Sequence, residues 1–150
     1  MKVLFRVDSS HHMGTGHVMR CLVLADLFKK NGIKVEFICR SHEGNSIDRI
    51  ISNDFKVYEL AAPKNNEFAT SSQYSQWLGV KQKKDAEDCV DLIKSETVNW
   101  VIVDHYGIDE QWHKQIKPYC ENLMVIDDLA DRKFDCHLLL NQNLGIEKKY

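Results

Sequence analysis

A short apolar run, Val3–Val7, leads into DSSHHMGTGHVMRC, residues 8 to 21, which holds three imidazoles, a guanidinium, a carboxylate and two glycines. Glycines let a backbone approach a ligand, and the free N–H groups of a helix start attract anions. His17 falls in the first turn of the segment that follows. The positive end of a helix disfavours imidazolium there, so a neutral ring able to accept a proton is expected at pH 7. The alternative is that His17 only caps the helix or ties down the loop. Arg20, three residues on and on the same face, either holds a substrate anion, orients an acid, or pairs with Asp8 or Asp26.

Two more stretches carry chemistry. VIVDHYG places Asp104, His105 and Tyr106 after one apolar run, and VIDDLADR places Asp127 and Asp128 after another. With Asp8 they gather carboxylates that could position hydroxyls, orient His17 or bind Mg²⁺. Asp128 and Asp131 read as loop residues accepting backbone N–H groups, whereas Asp104 stands equally as a site residue or a cap. His11 and His12 are adjacent and lack a third ligand at helical spacing, which disfavours a metal site. No G-x-x-x-x-G-K-[ST] phosphate loop occurs. A dinucleotide fingerprint is also wrong here. Five residues separate Asp8 from Gly14, Met19 stands where its last glycine belongs, and Cys39-Arg40 replaces its acidic residue.

These residues need a scaffold. Near-continuous apolar runs at Val3–Val7, Lys34–Cys39, Lys56–Leu60, Trp100–Asp104, Leu123–Ile126 and His137–Leu140 suit strands covered on both faces of a parallel sheet. Helical spacing fills the intervals over residues 16–31, 46–53, 83–96 and 109–117. Gly32 is placed to end the first helix and Asp109 to cap the last. The alternation reads as an α/β, Rossmann-like doubly wound parallel sheet with right-handed crossovers, in which ligands sit beyond the carboxyl ends of the strands. Residues 61–79 form a long polar connection of the kind that carries function.

At 150 residues the chain is expected to form a single domain, 1–150. A net charge of -2 offers no footprint for nucleic acid, and no apolar run is long enough for a membrane span. The five cysteines form no C-x-x-C pair and no leader opens the chain, so a reducing cytoplasm is the expected compartment.

Four blocks, RVDSSHHMGTGHVMRCLVLAD, WLGVKQKKDAEDC, WVIVDHYGID and VIDDLADRKFDCHLLLNQN, together resemble one family. It is that of the UDP-2,4-diacetamido-2,4,6-trideoxy-β-L-altropyranose hydrolases of pseudaminic acid biosynthesis. The resemblance implies a GT-B architecture of two Rossmann-like domains, of which this chain matches the first. It implies a UDP-sugar substrate, hydrolysed at C1 with inversion, and no cofactor or metal. His17 becomes the general base. Asp8, Gly14, Thr15, Gly16, Arg20, Asp104 and Tyr106 become the residues around the sugar and the water. Trp77 either folds over the sugar or is a buried anchor. The UDP-binding residues of the family lie mainly in its second domain, which is absent here, so this chain alone is expected to be inactive. Rival readings are a glycosyltransferase domain of the same architecture and a non-catalytic sugar-binding module.

Overall fold

The computed structural model describes residues 1–64, 74–145 and 149–150. Six parallel strands form one sheet: β1 (Lys2–Val7), β2 (Lys34–Arg40), β3 (Lys56–Leu60), β4 (Trp100–Asp104), β5 (Asn122–Ile126) and β6 (Leu138–Leu140). Their spatial order is β3-β2-β1-β4-β5-β6, so the chain reverses direction across the sheet between β1 and β4. In open α/β sheets ligands bind beyond the carboxyl ends of the strands at such a switch point.

Helices cover both faces. The first, α1 (Gly16–Lys30), and α2 (Ile47–Ser52) bury Val18, Cys21, Ala25 and Ile50 against Phe5, Phe37 and Ile102 on one side. On the other side α3 (Gln82–Ile93) and α4 (Glu110–Ile116) bury Ala86, Cys89, Trp112 and Ile116 against Leu4, Val101 and Leu123. The expected stop signals operate. Gly32 takes φ +74° and its N–H donates to Lys29 O at 3.0 Å, and Asp109 accepts from Gln111 N at 2.9 Å as the cap of α4. Within the long connection a 3-10 turn, Ser75–Leu78, precedes α3; residues 65–73 of that connection lie outside the described residues. All five cysteines are free thiols. Among the described residues no helix is long and apolar enough to cross a membrane.

The α3 side of the sheet carries charge in its interior. Arg6, on β1 and fully buried, donates through Nε and Nη2 to Asp85 of α3 at 3.0 and 2.7 Å and through Nη1 and Nη2 to Asp8 at 2.6 and 2.9 Å. Arg40, at the end of β2, reaches Asp85 Oδ1 at 2.7 Å, and its backbone N–H donates to Asp8 Oδ1 at 2.7 Å. Trp112 Nε1 donates to Asp85 Oδ2 at 2.9 Å, and His105 Nε2 to Asp8 Oδ2 at 3.0 Å. Each buried charge therefore meets an opposite charge and several hydrogen bonds, the condition under which ions are tolerated in an interior. Burial pushes Asp8 and Asp85 up, but Arg6 outweighs it, and both carboxyls sit below the ordinary carboxylate range, Asp8 well below.

His113, on α4, is buried without a partner for Nε2, and burial pushes it down to about 4. Burial likewise lowers His105, although Asp8 opposes it. The signs define two acid limbs. The buried neutral histidines contribute stability that is complete above about pH 6.5 and is lost as pH falls from there towards 4; the aspartates contribute stability that is lost below about pH 4. Urea midpoints measured from pH 8 to 3 are expected to fall in these two stages, with His113→Phe diminishing the first. Asp85→Asn at pH 7 is expected to cost about 3–5 kcal/mol in the same measurement, because it leaves two buried guanidinium groups short of a counter-charge.

Candidate active site

The loop after β1 closes on itself. Gly14 N–H donates to Ser10 O at 2.9 Å, and Ser10 Oγ accepts from the backbone N–H groups of His12 and Met13 at 3.2 and 3.0 Å. Gly14 holds φ +71°, which the turn requires, while a Cβ at Gly14 or Gly16 would meet nothing within 4 Å. The glycines and Thr15 thus border open space. Thr15 is exposed at the N-cap of α1 and its side chain makes no capping bond.

One turn in, His17 points across to the end of β4. Its Nδ1 lies 2.6 Å from Asp104 Oδ1. Arg20 grips the same carboxylate with two bonds, Nε to Oδ2 at 2.5 Å and Nη2 to Oδ1 at 2.6 Å. Burial pushes Asp104 up, and the bonds from Arg20 and His17 overcome that and hold it below its ordinary value. An ionised carboxylate can only accept, so in the neutral ring the proton is on Nδ1 and the lone pair is on Nε2. Nε2 has no hydrogen-bond partner among the described residues and is not among the buried unsatisfied atoms, and the residue keeps 8% exposure. The arrangement is that of an imidazole base oriented by a carboxylate.

Aromatic rings frame the imidazole. Tyr106 meets it edge-on with ring centroids 4.4 Å apart, Trp77 does so at 6.4 Å, and Trp77 stacks on Tyr106 at 5.6 Å. The Tyr106 hydroxyl donates to Asp128, which also accepts from Arg20 Nη1 at 3.2 Å. Burial and the Asp128 charge push the Tyr106 hydroxyl well up, so it stays protonated at neutral pH.

The structure brings His17, Arg20, Asp104 and Tyr106 together, with Gly14, Thr15 and Gly16 on the adjoining loop. It places Asp8 elsewhere: this carboxylate is 1% exposed and is used up by Arg6, Arg40, His42 and His105. Asp8 therefore supports the loop from below and has no oxygen left for a sugar. Arg20 pairs with Asp104 and Asp128 rather than with Asp8 or Asp26, so it orients the acid and its fork is not free for an anion. Asp128, read from sequence as a loop residue, is the shared acceptor of Arg20 and Tyr106. Among the described residues no group of three His, Cys, Asp or Glu side chains is arranged to hold a metal ion.

No family model matches the chain. It is 34% identical over 143 residues to the UDP-2,4-diacetamido-2,4,6-trideoxy-β-L-altropyranose hydrolase of Campylobacter jejuni, a match taking in 95% of this chain and 42% of that protein. The chain is thus similar to the N-terminal part of this hydrolase. It is also 30% identical over 152 residues to the uncharacterized protein MJ1062 of Methanocaldococcus jannaschii, covering 99% of this chain and 26% of that one. It thus spans less than half the length of either relative. All four sequence blocks fall within the described residues, on strands and helices around one sheet and on the loops between them.

The tautomer is directly measurable. Nitrogen-15 spectra of the histidine rings at pH 8 are expected to show His17 protonated at Nδ1 and bare at Nε2. Asp104→Asn, whose amide can donate where the carboxylate could only accept, is expected to shift the proton towards Nε2.

Proposed function

We propose that this chain is the sugar- and water-side part of an inverting nucleotide-sugar hydrolase of the GT-B type. A UDP-binding C-terminal domain would complete it, and its substrate would be a UDP-linked 2,4-diacetamido-2,4,6-trideoxy sugar. The observation that carries the reading is the His17–Asp104 pair at the switch point of the sheet, in a chain related to a hydrolase of that name.

In this reading a water sits against His17 Nε2. As its oxygen attacks C1 of the sugar, the water proton passes to Nε2, and the bond from C1 to the diphosphate oxygen breaks with its electron pair leaving on UDP. The attack comes from the face opposite the leaving group, so the free sugar emerges inverted. Asp104 stabilises the imidazolium that forms, and Arg20 fixes Asp104. The Tyr106 proton is committed to Asp128, which leaves the phenolic oxygen as an acceptor for the water or a sugar hydroxyl. Diphosphate leaves as a stable anion, so one base can replace the two carboxylates of ordinary glycosidases. The reaction needs no cofactor, and a nucleotide-sugar substrate fits work in the cytoplasm.

UDP release by the chain supplied with a UDP-binding second domain tests the reading. His17→Asn is expected to lower kcat by about 10²-fold or more with KM little changed, since a base acts in the transition state. The chain without such a domain is expected to release little UDP. Unchanged turnover in the His17 variant would remove the imidazole from the chemistry.

A further inference from the structure

Next to the His17 site, the loops after β1 and β2 and the turn Ser75–Leu78 enclose a second cavity of about 340 Å³. Trp77 is the wall common to both: it lines this cavity, and its ring stands edge-on to His17 and stacked on Tyr106. One aromatic ring therefore separates the cavity from the imidazole. We propose that this cavity is the subsite for an N-acyl amino substituent of the sugar, with Glu43, His12 and Gln76 as its specificity-determining residues. The proposal rests on the hydrolase reading above and adds to it which part of the substrate this chain recognises.

The lining has the chemistry of that group. An acylated amino group presents one N–H donor, one carbonyl acceptor and a methyl. The cavity is lined by Glu43, His12 and Gln76, whose side chains bond no other side chain among the described residues, together with Trp77 and Pro63. Among the described residues no lysine or arginine lines it, and Glu43 repels anions, so a phosphate is the poorer occupant. The contrast is a neighbouring cavity of about 420 Å³ on the other side of Gly79, lined by Arg40, Lys64, Lys81 and Lys84. Most ligand pockets combine apolar walls with a few placed polar groups in this way.

The walls are also held before any ligand arrives. Gly44 takes φ +73°, and a Cβ there would lie 2.4 Å from the His11 ring. Gly79 takes φ +77°, and its Cβ would lie 2.4 Å from Pro63 Cγ and 2.9 Å from His42 Cε1. The loops are tied by His11 N–H to Glu43 O at 3.2 Å and Ser46 N–H to Ser9 Oγ at 2.7 Å. His42 is anchored on Asp8 at 3.2 Å. A cavity whose rim is locked in contact loses little freedom when it is filled.

Amide NMR titration of the chain with a free 2,4-diacetamido-2,4,6-trideoxyhexose, and with the same hexose carrying hydroxyls at those two carbons, tests the proposal. The diacetamido sugar is expected to bind about tenfold or more tightly than the diol, because a site built for an amide leaves its own polar groups unpaired when the amide is missing. Its shifts are expected at Ser10, Glu43 and Gln76. Glu43→Ala and Gln76→Ala, both at exposed positions that spare the fold, are expected to remove most of that preference while leaving the His17 tautomer unchanged. Equal affinity for the two sugars, no binding of either, or a preference untouched by both variants overturns the proposal. A preference that persists in a chain whose completed enzyme releases no UDP would uphold the cavity and refute the hydrolysis, so the two readings fail separately.

Discussion

Two arginines and two aspartates sealed under the carboxyl edge of the sheet are the constraint on which the rest depends. Arg6 and Arg40 come from adjacent strands, Asp8 from the loop that follows the first, and Asp85 from the helix packed across them. None of the four is more than slightly exposed. An interior tolerates such charges only at full pairing, so this cluster fixes the position of α3 against β1 and β2 and the departure of the chain from β1. The loop that contains the glycines, and the first turn of α1 after it, start from a carboxylate that is not free to move.

Above that layer the candidate site repeats the device with a different outcome. Asp104 is again a buried carboxylate held by an arginine, but its remaining contact is an imidazole whose far nitrogen has no partner among the described residues. Below, carboxylates are saturated and serve rigidity; here, one bond is spent on orienting an imidazole. Asp128 extends the chain of contacts to Tyr106, so strand ends β4 and β5 and helix α1 converge on the same ring.

Much of this was readable from the residues. The apolar runs marked every strand to within a residue or two, because a parallel strand covered on both faces must be apolar almost throughout. Gly32 and Asp109 marked helix ends by chemistry that acts locally. His17, Arg20, Asp104 and Tyr106 could be grouped because strand ends and helix starts share one edge in this fold. What spacing did not reveal is which charges pair over long distances. Arg6 sits inside the apolar run VLFRV and Asp85 on a helix, and the two partners lie 79 residues apart in sequence, beyond the reach of local pattern. Asp8 looked like a site residue by its position after β1, yet Arg6 two residues before it, with His42 and His105 from other loops, occupies its carboxylate. Asp128 looked like an ordinary loop acceptor for the converse reason.

The long reach of the Arg6–Asp85 pair also bears on how the chain comes off the ribosome. When only β1, β2 and β3 have been made, β1 lacks its β4 neighbour and Arg6 has Asp8 but not its second counter-ion. The nascent half-sheet therefore keeps one backbone edge of β1 open, and Arg40 without Asp85 and Asp88, until α3 and β4 have been synthesised. Contacts of such wide separation slow folding and prolong exposure of sticky edges. The ion cluster that rigidifies the finished molecule is thus also a late checkpoint in its birth.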